Sequence, residues 1–366
     1  MTTAAILLSR QPLRPCAKTP WVEKVTRAVE WIKENNLRLI TSTGMQTWEI
    51  QIAAGLREKI EMTIVIPASN RKTFDCMKRE AQRSFDCRKK TVAIIPLYPG
   101  NDAGDKKELP VLRDRYIIDT ADLVLPVSIR KGGLMENLTA TSASHKINNR
   151  FRIDYCKRTE PIHYHLEPGA LSPAIQKIDK PYIIHWTRAS NVAWPTERKI
   201  DYYQAVLKSP TYPRTAFDSL CNILTTQRIC ASSLHMPDTI STVSFSDLPP
   251  ADTLPLIKWR SRYRMMSFEP YGIGIEKEYA LTMGILPVVY YSGKPTLPVD
   301  KENHYLLQSR GKITDWRQER EFRYKGDFHL GNIPREKPAC FCCFSDEAQR
   351  IEKKWGIRAY GFLGKR

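Results

Sequence analysis

The stretch "LPVLRDRYIIDTADLVLPVS" at 109–128, followed by "IRKGGLMENL" at 129–138, decides the fold class of this chain. The first part predicts a helix with a basic start and then a buried apolar strand, "LVLPVS" (123–128). The second part places an arginine, two glycines and a glutamate where the next helix begins. A strand that passes through a Gly-Gly turn into a helix presents free backbone N–H groups and the positive end of a helix dipole, which favour an anionic phosphate. The pattern therefore predicts a nucleotide or nucleotide-derived ligand.

The same alternation of strand and helix runs through the first 150 residues. Apolar strands are predicted at 4–9, 37–42, 62–68, 91–98 and 123–128. Between them, 21–36 and 47–59 have the apolar period of helices. Nearly all-apolar strands that alternate with helices form a parallel sheet covered on both faces. We predict an α/β fold, in which a doubly wound, mostly parallel Rossmann-like sheet is followed by a second α+β domain.

The length of 366 residues favours two domains. Residues 1–150 form the predicted nucleotide-binding domain, and the proline-bearing stretch 151–180 is the predicted linker. From 181 to 366 the strand-like pieces are shorter and the helices fewer, and 215–227 is the clearest helix. This pattern is typical of an α+β domain, which we assign as a candidate effector.

Composition limits the class of protein. The chain has 57 Lys and Arg against 39 Asp and Glu, and this net charge of +18 favours polyanionic partners without choosing between DNA, RNA and a dinucleotide. Nine cysteines without framework spacing predict reduced thiols and a cytoplasmic protein. The cluster "ACFCCF" (339–344) has no second Cys or His group beside it, so we expect no metal. No apolar run of about 18 residues occurs, so we expect no membrane span, and the short apolar start does not resemble a signal peptide.

Candidate ligand-binding residues follow two of the predicted strands. The glycine pair is expected to cradle phosphate, the arginines to neutralise it and the glutamate to contact a ribose. A tight turn, a solvated helix start and a dipole-stabilised first turn would give the same residues, so both interpretations stay open. The predicted set is Ser42, Thr43, Gly44, Arg113, Arg115, Arg130, Gly132, Gly133 and Glu136.

Two segments of residues 1–150, "TSTGMQTWEIQIAAG" (41–55) and "RDRYIIDTADLVLPVSIRKGGLMENL" (113–138), resemble the SLOG superfamily. This superfamily includes the Lonely-Guy phosphoribohydrolases, the DNA-processing protein A family and sensor domains of bacterial defence proteins. The second segment is similar to the family's Arg-containing helix, buried strand and P-G-G-x-G-T-x-x-E turn. Gly132 and Gly133 match the glycine pair, Glu136 the acidic residue, and Arg113 or Arg115 the arginine.

The third glycine and the threonine of that turn are missing here, because "LMENL" follows the glycine pair directly. The resemblance therefore implies ligand binding rather than hydrolysis. It implies a sensor of NAD-derived or cyclic-nucleotide signals, and, by analogy with the pairing of such sheets, a homo-oligomer.

In the second domain, three residues are candidates for catalysis. His185 ends the apolar strand of "YIIHWTR" (182–188), and Glu319 and Glu321 lie two apart in "DWRQEREFR" (315–323). Breaking a glycosidic bond needs a carboxylate beside the developing positive charge in a dry pocket. A strand carrying a ladder of ion pairs and a satisfied core histidine would explain the same residues. The sequence leaves both interpretations open.

The order "PYGIGI" (270–275), "PVVYY" (287–291) and "DWRQEREFR" resembles a domain group of abortive-infection and phage-resistance proteins. The order of an early strand histidine, a serine-bearing turn and a late glutamate is also loosely similar to ADP-ribosyltransferases. That likeness implies a histidine that holds the nicotinamide ribose and a glutamate that stabilises the oxocarbenium ion. It names NAD or a related nucleotide as ligand or substrate, and no firm cofactor.

One basic stretch suggests a different function. "KWRSRYR" interleaves cations with stacking platforms, which suits single-stranded nucleic acid, although a solvated basic face has the same composition. The residues concerned are Lys258, Trp259, Arg260, Arg262, Tyr263 and Arg264.

Three functions follow from these patterns. The first is a defence-type protein whose SLOG-like domain binds a nucleotide-derived ligand and controls an NAD-glycohydrolase or ADP-ribosyltransferase-like effector. The second is a single-stranded nucleic-acid-binding protein of the DNA-processing type. The third, a nucleoside-monophosphate phosphoribohydrolase, is disfavoured by the incomplete glycine turn.

Overall fold

A computed structural model of the chain describes residues 1–87, 91–99, 108–141, 143–156, 161–234, 236, 239–261, 264–292, 300–310 and 315–366. The chain divides into two compact units. The first unit contains 1–159 and 191–213, and the second contains 160–190 and 214–366.

The described strands are β1 (Thr3–Leu8), β2 (Arg38–Ser42), β3 (Met62–Pro67), β4 (Val92–Leu97), β5 (Leu123–Ser128), β6 (Tyr182–Trp186), β7 (Arg228–Ile229), β8 (Thr242–Ser246), β9 (Trp259–Arg260), β10 (Met265–Met266), β11 (Gly272–Glu276), β12 (Leu286–Pro287), β13 (Val289–Tyr291), β14 (Leu307–Ser309), β15 (Glu321–Lys325), β16 (Phe328–His329), β17 (Pro338–Phe344) and β18 (Arg358–Leu363).

The described α-helices are α1 (Pro20–Glu34), α2 (Gln46–Glu58), α3 (Arg71–Phe85), α4 (Leu109–Thr120), α5 (Leu134–Ala140), α6 (Pro173–Gln176), α7 (Lys199–Lys208), α8 (Ala216–Thr226), α9 (Lys277–Thr282) and α10 (Ser345–Trp355). Short 3-10 helices include 301–306 and 316–319.

The first unit is built on a parallel sheet of five strands in the order β4-β3-β2-β1-β5. Successive side chains of a strand point to opposite faces. Ala4, Ile6 and Leu8 of β1 pack into one apolar cluster, and Ala5 and Leu7 pack into another on the opposite face. Both faces are therefore covered by helices, which confirms the predicted α/β class with a Rossmann-like sheet.

The segment 191–213 was assigned from the sequence to the second domain, but in the structure it belongs to the first unit. Its helix α7 buries Tyr202, Tyr203, Val206 and Leu207 in the core of that unit. The helix has an apolar face that matches the cluster beside α2 and α3. Burial of this face, rather than position along the chain, decides where the segment packs.

The second unit is built on a mixed sheet of seven strands in the order β12-β15-β8-β6-β11-β17-β18. Its neighbours are antiparallel except for β17 and β18, which are parallel. Gly272 of β11 lies so close to β6 that an added Cβ would be 2.8 Å from the carbonyl oxygen of His185. Glycine at this position allows β11 and β6 to approach each other at the end of β6.

None of the helices in the described part of the chain has the length and apolar character needed to cross a membrane.

Candidate functional site

A pocket of about 210 Å³ opens in the second unit where the sheet is incomplete. β6 and β8 are neighbours in this sheet, but they pair at one position, Ile184 with Ser246. Neighbouring antiparallel strands ordinarily pair along their length, so a single pair leaves room between them. His185, Glu319 and Glu321 all line this pocket.

His185 bridges the gap between the two strands with its side chain. Its Nδ1 lies 2.9 Å from the backbone oxygen of Ser244 in β8. A carbonyl oxygen only accepts hydrogen bonds, so Nδ1 carries the proton and donates it. Burial lowers the pKa of His185 to about 4, against a smaller opposite effect of the Ser244 hydrogen bond. At neutral pH the ring is therefore uncharged, and Nε2 remains as a hydrogen-bond acceptor.

Glu321, the first residue of β15, is held from two sides. The Ser244 hydroxyl donates to its Oε1 over 2.8 Å. The Arg323 guanidinium donates Nε to Oε1 over 2.8 Å and Nη2 to Oε2 over 3.0 Å. Glu321 and Arg323 are two apart on one strand and so lie on the same face. This two-pronged contact fixes the orientation of the carboxylate.

Arg323 is itself anchored from behind. It is 4% exposed, and its Nη1 donates to the backbone oxygens of Tyr305 and Leu307 over 2.7 and 3.1 Å. Its Nη2 also donates to the side-chain oxygen of Gln308. These contacts restrict the movement of the Arg323 side chain, and therefore also of the Glu321 carboxylate that it binds.

Glu319 belongs to a different ion pair. Its Oε1 accepts a hydrogen bond of 2.8 Å from Nη2 of Arg260, whose guanidinium lies 4.5 Å from the ring centre of Trp316. Burial raises the pKa of Glu319, although the neighbouring Arg260 acts in the opposite direction. A carboxyl group with a raised pKa can release and take up a proton nearer neutral pH than an ordinary glutamate can.

The ion-pair-ladder interpretation requires Glu319 to Arg323 to be one extended strand, and the structure differs at the start of this segment. Glu319 ends a 3-10 helix, and Arg320 has a left-handed backbone with φ of 45° before β15 begins. The two glutamates therefore lie in backbone segments of different conformation, a 3-10 helix and a β-strand. Each glutamate forms an ion pair, Glu319 with Arg260 and Glu321 with Arg323. The ion pairs of the alternative interpretation therefore exist, and both glutamates also line the pocket.

The sequence analysis did not identify Arg188 as a residue of this pocket. Arg188 follows the His185 strand by two residues beyond its end and lines the pocket. A cation directly after an apolar strand was visible in "YIIHWTR", and it was the signal that could have identified Arg188. Arg260, one of the candidates for nucleic-acid contact or for a solvated basic face, donates Nη2 to Oε1 of Glu319.

The remaining residues of the basic stretch have varied settings. Lys258 and Arg264 are exposed, and Trp259 is half-buried in the short β9–β10 hairpin. Arg262 and Tyr263 lie outside the described residues. Because Arg260 points inward, the described cations Lys258, Arg260 and Arg264 do not all lie on one exposed surface.

In the first unit, the predicted phosphate turn is closed by its own residues. Gly132 has φ of 67°, a left-handed backbone that suits glycine. Its N–H donates to a carboxylate oxygen of Glu136 over 2.6 Å, and the Gly133 N–H donates to the Arg130 backbone oxygen over 3.1 Å. Glu136 therefore occupies the place next to the Gly132 amide that an anion would take.

The three arginines predicted to bind a ligand together with this turn have different surroundings. Arg113 is 4% exposed, pairs with Asp114 at 2.7 Å and lies over the Trp48 ring. Arg115 and Arg130 are exposed. The Arg113 charge is thus already compensated by a neighbouring carboxylate, whereas Arg115 and Arg130 face water.

The second group of predicted ligand-binding residues, Ser42, Thr43 and Gly44, lies at the end of β2 and directly after it. The buried Ser42 hydroxyl donates to the Val65 backbone oxygen over 2.7 Å, and Thr43 is half-buried beside it. Gly44 has φ of 86°, and its N–H donates to Oε1 of Glu49 over 3.1 Å. Gly44 and Glu49 line a cavity of about 520 Å³ within the first unit.

Lys199 and Tyr203 from the segment 191–213 complete that cavity. Lys199 Nζ and the Tyr203 hydroxyl each lie 2.9 Å from an oxygen of the buried Glu49 carboxylate. The lining therefore combines a cation, a carboxylate and aromatic rings. The predicted turn at Gly132 and Gly133 is not part of this cavity's lining.

Within the described ranges, no group of three or more His, Cys, Asp or Glu side chains is arranged to hold a metal ion. Comparisons of the chain with models of known families, with curated proteins and with solved structures find no match.

Proposed function

We propose that the pocket of the second unit cleaves the N-glycosidic bond of NAD or a related ribonucleotide, as a glycohydrolase or an ADP-ribosyltransferase. One observation carries this proposal: two carboxylates and a neutral histidine line one pocket. The bond between C1′ of the ribose and the base nitrogen breaks with its electron pair leaving on the base, so positive charge develops on the sugar. A fixed carboxylate stabilises such charge most when its orientation is set in advance.

Glu321 is the residue that fits this role. Ser244 and Arg323 hold its carboxylate with three hydrogen bonds of 2.8 to 3.0 Å. The carboxylate therefore needs little reorganisation as the oxocarbenium ion forms.

His185 and Glu319 would share the remaining steps. The Nε2 of His185 would accept a hydrogen bond from a ribose hydroxyl and so orient the sugar. Water, or the hydroxyl of an acceptor, then forms the new bond to C1′ and gives its proton to Glu319. The raised pKa of Glu319 favours that proton transfer.

The first unit is proposed to bind a nucleotide-derived ligand that controls this reaction, as in a bacterial defence protein. The support is the cavity of about 520 Å³ that Gly44 lines after β2. Ligands of open α/β sheets bind beyond the carboxyl ends of the strands, which is where Gly44 lies.

The reaction is tested by incubating the full chain with NAD and separating the products by chromatography. We expect release of nicotinamide, and Glu321→Gln should slow it by at least about 100-fold, because a preorganised charge is lost from the transition state. Glu336→Gln is the matched control, because Glu336 is an exposed glutamate of the same unit.

Two results would contradict the proposal. One is a wild-type chain that releases no base from NAD or from any ribonucleoside monophosphate tested. The other is a Glu321→Gln variant as active as the Glu336→Gln control.

A further inference from the structure

Two arginines, Arg188 and Arg260, line the pocket in the second unit. Glu319 is paired with Arg260, and Glu321 is paired with Arg323. Among the described residues Arg188 forms no direct ion pair, although the charges of Glu269 and Glu319 favour its protonated form. Its guanidinium donors are therefore not bound by either carboxylate.

We infer that Arg188 binds a phosphate group of the substrate, so that the pocket selects 5′-phosphorylated N-ribosides over free nucleosides. This inference rests on the proposed function, since it names the substrate class of the same site. A guanidinium offers five N–H donors in a fixed fork that matches phosphate oxygens. Among the described residues, the Arg188 guanidinium contacts the Met265 sulfur, a weak acceptor, through Nη1 at 3.2 Å.

The backbone that carries Arg188 is held firmly. The Ser219 hydroxyl donates to the Arg188 backbone oxygen over 3.0 Å. The next residue, Ala189, donates its N–H to Oε1 of Glu269 over 2.7 Å, and the Tyr164 hydroxyl donates to Oε2 over 2.7 Å. Glu269 is 1% exposed. A buried carboxylate with both oxygens engaged is a rigid anchor, and preorganisation of this kind lowers the cost of ordering a ligand-binding side chain.

The size of the pocket places the phosphate at its mouth. A volume of about 210 Å³ is below the range of about 300–1,000 Å³ usual for whole ligands. The pocket would therefore take the base and the sugar, while the phosphate stays outside them, where Arg188 is exposed. Protein still surrounds the guanidinium on several sides, and the lost hydration lowers the pKa of Arg188. A partly dehydrated cation forms stronger bonds to an anion than one in open water.

The test compares nicotinamide mononucleotide with nicotinamide riboside, which differ by the 5′-phosphate alone. For the wild-type chain we expect a kcat/KM at least about tenfold higher for the mononucleotide, the effect of one charged hydrogen-bonded contact. Arg188→Gln should remove this preference by raising the KM for the mononucleotide. Arg188→Lys should recover part of it, because the charge remains but the fork is lost.

Binding is measured separately from turnover. Inorganic pyrophosphate and nicotinamide mononucleotide are titrated by calorimetry into wild type, Arg188→Gln and the control Arg335→Gln, whose arginine is exposed elsewhere in the unit. We expect wild type and Arg335→Gln to bind alike and Arg188→Gln to bind at least about tenfold more weakly. The unfolding temperature of each variant shows whether it is folded.

The outcomes separate the two proposals. If no substrate is cleaved but binding of the mononucleotide depends on Arg188, the proposed reaction is wrong and the phosphate site stands. If both substrates are cleaved equally well by the wild-type chain, or if folded Arg188→Gln and Arg188→Lys keep the full preference, the phosphate site is wrong and the reaction stands.

Discussion

At the scale of single residues, His185 shows how the sheet and the site depend on each other. Its ring donates to Ser244 across the gap where β6 and β8 no longer pair. The ring also packs edge to face against Phe245, with 5.8 Å between centroids. The side chain thus substitutes for part of the missing strand pairing, and in doing so it loses the hydration that a charged imidazole requires.

The pKa of His185 gives a prediction about stability. An unfolded chain binds the proton near pH 6.5, but the folded chain does so only near pH 4. The free energy of unfolding should therefore fall as the pH drops from about 6.5 to about 4 and stay unaffected by this group above that window. His185→Gln should remove about 1–2 kcal/mol of the loss between pH 7 and 4.5, after allowance for partial exposure.

Urea unfolding at the two pH values measures this difference. His163→Gln is the control, because His163 is an exposed histidine of the same unit. A His185→Gln variant with the same acid sensitivity as wild type and the control would show that the ring is not held neutral.

Sequence reasoning reached several residues of this pocket for chemical reasons. A histidine at a strand end and two nearby glutamates were recognisable as groups able to handle charge, and the structure brings them together. Arg260 could not be assigned from the sequence, because the facing of a two-residue strand depends on its partner strand. Arg188 was not among the predicted site residues, although the sequence places it directly after the His185 strand.

At the scale of elements, the strand-to-helix turn at 129–134 is stabilised from within. Glu136 lies in the first turn of α5, and its carboxylate accepts the Gly132 N–H. Such a contact satisfies one of the free donors at a helix start. The turn is therefore preorganised to bind an anion, and the anion that it binds is the Glu136 carboxylate of the following helix.

Glu136→Ala tests whether a soluble anion can replace that carboxylate. The variant should lose about 1 kcal/mol of stability, as for other removed caps, and its unfolding temperature in phosphate-free buffer should fall. Inorganic phosphate should then raise that temperature more in the variant than in wild type, because the Gly132 amide is free and a negative charge is gone.

Asn137→Ala serves as the control, since Asn137 is an exposed neighbour on the same helix. Equal responses of all three proteins to phosphate would mean that the turn is purely structural.

The regular elements of the first unit could be predicted because their signals are local. Fully apolar strands between amphipathic helices specify a parallel sheet, and β1 to β5 follow the predicted strands closely. The helix predicted at 215–227 is confirmed as Ala216–Thr226. The incomplete pairing of β6 with β8 could not be predicted, since pairing between strands about 60 residues apart leaves no mark in either segment alone.

At the scale of the whole molecule, the path of the chain is the feature that the sequence did not reveal. The chain leaves the second unit after Ser190, contributes 191–213 to the first unit, and returns at Arg214. The Ser190 N–H donates to the Arg214 backbone oxygen over 3.0 Å. Ser190 and Arg214, the two residues that flank the segment 191–213, are therefore already adjacent in the second unit.

Because those ends meet, replacing 191–213 by two glycines should leave the second unit folded and disrupt the first. α7 buries four large side chains in the first core, each worth about 1.5–3 kcal/mol, against a typical domain stability of about 5–15 kcal/mol. Loss of α7 would also remove the Lys199 ion pair and the Tyr203 hydrogen bond of Glu49. The Glu49 carboxylate would then be without its cationic partner, which is destabilising.

Hydrogen exchange with mass spectrometry can follow both units in one sample. Protection should be lost in β1 and kept in β11, and pyrophosphate binding through Arg188 should persist, because its supports Ser219 and Glu269 belong to the second unit. Val192→Ser, which changes an exposed residue of the segment 191–213, should leave both strands protected from exchange. Undiminished protection of β1 in the deletion variant would show that α7 is dispensable, and lost protection of β11 would show that the second unit does not close at Ser190 and Arg214.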